Sequence, residues 1–136
     1  MRRSSLLAAS ILIPLASLGA LPLPVAAQDV QGPSTGQTLF ESRCVACHSL
    51  DANRVGPMLR GVVGRRVASA AGYEYSDALK RAKGRWDEPR LQMWLQDPQS
   101  IAPGSKMAFS LASASDRDAV IRYLASTNLP SGAAQR

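Results

Sequence analysis

Histidine occurs once in this 136-residue chain, cysteine twice, and aromatic residues make up only 5%. A zinc site takes about four ligands, so two cysteines and one histidine leave it short. No strand-length alternation of apolar and polar residues is present and no segment repeats, which leaves an all-α chain with long loops. Beyond the N-terminal segment there is no second long apolar run, so the mature chain is expected to make no stable membrane insertion. Basic residues outnumber acidic ones, 16 to 10, but they are scattered and no nucleic-acid module is visible, so nucleic acid is not an expected partner.

The N-terminal segment reads as an export signal rather than as part of a fold. Arg2 and Arg3 form a positive start, Leu6 to Leu21 is an apolar run interrupted by Pro14, and Val25 and Ala27 supply small residues at a cleavage site. Cleavage is expected after Ala27, making residues 1–27 a cleaved signal peptide, and the location periplasmic. The competing reading keeps the segment as an N-terminal membrane anchor facing the periplasm. Loss of Arg2 and Arg3 takes the basic residues from 16 to 14 against 10 acids, a net charge of +4, enough to assist docking on acidic partners. Residues 28–33 are polar with Gly32 and Pro33 and read as a short flexible tail, 34–128 as one domain, and 129–136 as a C-terminal tail.

Two cysteines in an exported chain would ordinarily suggest one disulfide, yet here they stand in Cys44-Val45-Ala46-Cys47-His48. C-x-x-C-H is the pattern of covalent heme attachment: two thiols add across the porphyrin vinyl groups, and the next imidazole is thereby held beneath the iron. A thioredoxin-like C-x-x-C needs no following histidine and sits after a strand in a βαβ unit, which this chain lacks. The expectation is one heme c on Cys44 and Cys47, with His48 as its proximal ligand.

The opposite axial position calls for a soft ligand, and Met58, Met93 and Met107 remain after export. Met107 lies in Ile101-Ala102-Pro103-Gly104-Ser105-Lys106-Met107-Ala108-Phe109, where Pro and Gly favour a fixed loop able to reach the far heme face. Met93 falls inside a helical stretch, and Met58 follows His48 too closely to wrap around. Met107 is therefore the expected axial ligand; an open iron position would instead suit a gas-binding or sensory protein.

Helices are expected over about 35–46 with Ser34 or Thr35 as cap, from Ser76 through Lys83, from Asp87 or Glu88 until Asp97-Pro98 stops it, and from Ser115 or Asp116 to near Asn128. Residues 49–71, rich in glycine, read as irregular loop.

Taken in order, these residues resemble the class I cytochromes c, mitochondrial-type and bacterial c2 or c550-like. Gly36 and Phe40 precede the C-x-x-C-H; Gly56-Pro57-Met58-Leu59-Arg60-Gly61-Val62-Val63-Gly64-Arg65 is similar to the family's glycine-rich loop; Tyr75, Trp86, Trp94-Leu95, Pro103-Gly104-Ser105-Lys106-Met107 and Tyr123-Leu124 follow. The resemblance implies three to five helices wrapped around one heme, and an electron carrier with no substrate turnover of its own. It implies that Pro57 offers its carbonyl to His48, that Tyr75 and Trp86 donate to a heme propionate, and that Arg65 neutralises that charge. Gly36 would let the first helix pack on the last, with Phe40 against Tyr123 and Leu124. Trp94 and Phe109 are also expected against the heme; for these two, as for Trp86 and Tyr123, plain core packing is the alternative. Arg65 and Arg66 could equally form a solvated pair. A membrane oxidase, a bc1-type complex or a periplasmic dehydrogenase are the expected redox partners, met as a monomer. Two departures stand out: few lysines, only Lys80, Lys83 and Lys106, and Leu79 where the mitochondrial proteins commonly carry asparagine.

Overall fold

The computed structural model describes residues 34–128, so the expected signal peptide and both tails lie outside the described residues. Five helices and no strand are found there: α1 Thr35–Arg43, α2 Asp77–Arg81, α3 Glu88–Gln96, α4 Pro98–Ile101 and α5 Ala114–Ser126. Each begins on a short polar side chain that accepts from an otherwise orphaned amide of the first turn. Ser34 accepts from Gln37, Ser76 from Leu79, Asp87 from Arg90, Asp97 from Gln99 and Ser113 from Asp116.

Several expected boundaries are corrected. The first helix stops at Arg43, because the chain tightens at the cysteines: the amides of Cys47 and His48 both turn back to the Cys44 carbonyl. The second ends at Arg81 rather than Lys83, with Ala82 already extended. The last starts at Ala114, because Ser113 is the cap and Ser115 lies inside the first turn. Asp97-Pro98 does end α3, but Asp97 then caps a further single turn, α4, with Pro98 at its first position, where a missing N–H costs nothing. Residues 49–71 are irregular as expected; the one ladder-like feature is an isolated antiparallel bridge between Arg66 and Arg85.

The terminal helices carry the architecture. Phe40 of α1 faces Tyr123 of α5 with ring centroids 5.5 Å apart, and Leu124 is buried in the same core. The backbones approach so closely that a Cβ on Gly36 would lie 2.0 Å from the Ala119 carbonyl oxygen and 2.9 Å from the Tyr123 Cβ. Only glycine fits there. α3 packs on α5 and brings Leu91, Trp94 and Leu95 into the core, where Trp94 meets Trp86 at 5.1 Å between ring centroids. The end of α5 is tied to the glycine-rich loop, as Asn128 Nδ2 donates to the Val63 carbonyl.

Because the Gly36 contact is backbone on backbone, Gly36→Ala should force the helices apart and cost about 2 kcal/mol or more, as overpacking does. A urea unfolding midpoint for the intact protein equal to that of the parent would contradict this.

Candidate heme-attachment site

The two thiols are placed by the end of α1. Cys44 caps the helix, its amide donating to the Phe40 carbonyl at 2.9 Å, and the tight turn that follows carries Cys47 and His48. Cys47 is exposed, while Cys44 and His48 are half-buried. Burial and then the neighbouring Cys47 push the Cys44 thiol up to about 11, so it stays protonated at neutral pH. Among the described residues no three metal-ligating His, Cys, Asp or Glu side chains gather.

The loop after the motif folds back beneath the imidazole. The Gly56 amide donates to the Cys47 carbonyl at 2.8 Å, and the Arg54 guanidinium donates to the Val45 carbonyl at 2.9 Å. Gly56 lies against the ring so tightly that a Cβ there would stand 2.2 Å from His48 Cε1. Pro57, next in line, sets its carbonyl 2.8 Å from His48 Nδ1. A carbonyl only accepts, so Nδ1 carries the hydrogen and Nε2 keeps its lone pair for a metal. Burial lowers the imidazole pKa, favouring the same neutral form, with the Pro57 bond opposing in part.

The methionines separate by position. Met93 is 55% exposed on α3. Met58 belongs to the loop that carries Pro57, its amide donating to Asn53 Oδ1 and its carbonyl accepting from Arg65 Nη2. Met107 is half-buried against the core, on a segment without regular structure between α4 and α5. That segment is held from both sides. Gln99 of α4 bonds to Gly104, Ser105 and Met107; beyond Met107, the Leu111 amide donates to the Leu95 carbonyl, and buried Arg117 donates to the carbonyls of Leu111 and Ala112 and to Gln92 Oε1.

Of the groups expected around the propionates, Arg65 is joined to Trp86 and lies within electrostatic reach of Tyr75. The Arg65 carbonyl accepts from the Trp86 amide at 2.8 Å, which fixes the two residues side by side. The Arg65 guanidinium donates to Met58 and Arg60 carbonyls, but its Nε is buried without a partner, and burial depresses its pKa. Arg66 is the exposed, solvated member of the pair. The Tyr75 hydroxyl accepts from the Ala70 amide at 3.1 Å and donates to no described group. The buried Trp86 indole likewise has no described acceptor. Arg65 keeps a buried N–H unsatisfied and lies close enough to Tyr75 to interact electrostatically, while Trp86 is joined to it through the backbone; these uncommitted donors fit a propionate-bearing heme.

Trp94 is buried as the core reading expected. Phe109 is not a core aromatic: it is 38% exposed and pairs with no other ring. A cleft of about 460 Å³ lined by Glu88, Gln92, Asp118 and Arg122 contains none of the candidate residues. Sequence reasoning passed over Asn53, whose side chain bridges the Met58 amide and the Ala71 carbonyl, and Gln99 and Arg117, which tether the Met107 segment. No spacing rule marks a lone amide or a helix arginine as a loop tether.

The match to known proteins is extensive. Residues 33–128 match the Cytochrome c family. Cytochrome c-type cyt cy of Rhodobacter capsulatus is 45% identical over 91 residues, 65% of this chain, though the chain spans only 46% of that protein's length. Cytochrome c2 iso-2 of Magnetospirillum fulvum is 46% identical over 86 residues, which cover 61% of this chain and 90% of that one. The structure of cytochrome cH from Methylobacterium extorquens superposes with a TM-score of 0.65 at 41% identity, covering 70% of this chain and 99% of that one. The thiol pair on one turn and the imidazole oriented from below thus sit in a chain that belongs to the cytochrome c family and carries heme c on Cys44 and Cys47.

Proposed function

We propose that this cytochrome works in the periplasm after loss of residues 1–27, passing single electrons between protein partners through a heme ligated by His48 and Met107. The observation that carries the reading is the 2.8 Å contact between His48 Nδ1 and the Pro57 carbonyl, which leaves Nε2 as the only ring nitrogen available to iron.

Bound heme c supplies a reversible one-electron couple at its iron. The chain's residues govern how easily that couple turns over. Cys44 and Cys47 would hold the group at one place on the chain. His48 stays oriented in both oxidation states because its hydrogen bond does not depend on the metal. Met107 is favoured over its rivals, since Met93 lies out on the surface of α3 and Met58 is bonded into the loop on the His48 side. A thioether favours ferrous iron and raises the potential, which suits delivery to an oxidase. Arg65, Tyr75 and Trp86 would hold a propionate, and Trp94 and Phe109 would pack on the ring.

The partners are redox proteins, with a bc1-type complex or a periplasmic dehydrogenase as donor and a membrane oxidase as acceptor. The net charge of +4 on residues 28–136 favours an acidic docking face and brief, electrostatically assisted encounters between a monomer and its partner. Among the described residues no helix is long and apolar enough to cross a membrane.

Met107→Ala should abolish the long-wavelength sulfur-to-iron charge-transfer band of the ferric protein and lower its reduction potential. A band of parent intensity would assign the sixth ligand elsewhere. Mass spectrometry of the protein purified from the periplasmic fraction should give an N-terminus at Gln28; recovery in the membrane fraction with residues 1–27 intact would favour the anchored alternative.

A further inference from the structure

Met107 makes one hydrogen bond among the described residues: its carbonyl accepts from Gln99 Nε2 at 3.2 Å. The same amide group reaches three more atoms of the segment that leads to it. Gln99 Oε1 accepts from the Gly104 amide at 2.8 Å, and Nε2 lies 3.3 Å from the Ser105 carbonyl and 3.2 Å from the Ser105 hydroxyl. All four contacts fall within Gly104–Met107. The Gln99 backbone is itself fixed, because its amide donates to Asp97 Oδ1 at 3.0 Å in the first turn of α4, and Pro98 beside it is buried.

A primary amide is well suited to this. Its oxygen takes a backbone N–H while its nitrogen gives to carbonyls on the same strand of chain, so donor and acceptor are met at once. Past Met107 the backbone makes no further hydrogen bond until Leu111. Gln99 is thus the last tether before the residue proposed as axial ligand, with the Leu111 and Arg117 contacts holding the far side.

We infer that Gln99 is a positioning residue for the axial methionine, clasping Gly104–Met107 so that the Met107 sulfur resists displacement from ferric iron. The inference rests on the reading of Met107 as sixth ligand. Breaking a sulfur–iron bond to admit another ligand requires the segment to swing away, and the swing must break the Gln99 contacts. A looser clasp makes the displaced state more populated without adding or removing charge.

The test uses the complete holoprotein with imidazole as the competing ligand. Gln99→Ala should bind imidazole to the ferric form about fivefold to tenfold more tightly, the shift expected for losing one net hydrogen bond. The charge-transfer band should bleach at correspondingly lower imidazole. Gln99→Glu is a second variant: its carboxylate still accepts from Gly104 but faces the Ser105 and Met107 carbonyls without a hydrogen to give, and it should loosen the segment at least as much. The same lost bond should lower the urea midpoint only modestly, so either variant stays folded for the titration, and imidazole affinity is the readout that decides. A parent protein that shows the band, with variants whose imidazole affinity is unchanged, overturns the clasp alone. A parent protein without the band overturns the Met107 reading and the clasp with it.

Discussion

The hydrogen bond from His48 Nδ1 to the Pro57 carbonyl is the constraint from which the rest of the molecule can be followed. It decides the tautomer, and the tautomer decides which nitrogen faces a metal. To reach the ring from below, the chain must reverse after Cys47 and run against the imidazole, which is why a residue with no side chain stands at Gly56. The reversal commits the next residues as well. Leu59 and Arg60 donate back to Ser49 and Leu50, Asn53 pins Met58, and Arg65 is carried to the side of Trp86. One oriented nitrogen thus fixes a loop, and the loop delivers the guanidinium suited to a propionate.

What could be read without coordinates was whatever depended on local chemistry. The heme pattern, the oriented histidine with Pro57 and the contact of Gly36 and Phe40 with α5 were legible because each is a short motif or an ordered resemblance. Cap residues were legible to within a residue or two: Ser34, Ser76 and Asp87 cap as expected, but Ser113 rather than Ser115 begins α5. Helix ends were less so. Nothing in the composition of 44–47 announces that α1 must break at the cysteines, since the break comes from the turn that returns both Cys47 and His48 to one carbonyl. The α4 turn was hidden for the opposite reason, because Asp97-Pro98 is both a stop for one helix and an N-terminus for the next. Side-chain-to-backbone tethers such as Gln99 and Arg117 depend on the path of a loop, and loop paths are set by tertiary contact rather than by periodicity.

Arg117 and Arg65 show how the same side chain serves two ends of the molecule. Each guanidinium is drawn at least partly out of water, and neither is paired with an acid among the described residues. Arg117 meets its needs with two backbone carbonyls and Gln92, a closed arrangement that ties the segment beyond Met107 to α3 and α5. Arg65 meets only part of its needs with carbonyls and keeps a buried N–H unspent. A buried guanidinium bonded to carbonyls ties chain segments together; the buried N–H that Arg65 leaves unspent, like that of Arg90, keeps hydrogen-bonding capacity in reserve.

That distinction bears on why so small a chain keeps so few aromatics. The buried cluster is built from Val, Leu, Ile and Ala with only Phe40, Tyr75, Trp86 and Trp94 for bulk. A domain of this size has little core to spare, and a large flat group bonded to Cys44 and Cys47 adds apolar area that never has to be recruited from solution. Its carboxylates are the cost of bringing it inside, and Arg65, which keeps a buried N–H unspent, is suited to offset that cost. Covalent attachment at Cys44 and Cys47 ties the group to one place in the chain, so its surroundings are fixed by the fold. For a protein that makes and breaks no bonds in a substrate, that fixed surrounding is the whole of its chemistry, because the potential of the couple is set by what the iron and its ring are held against.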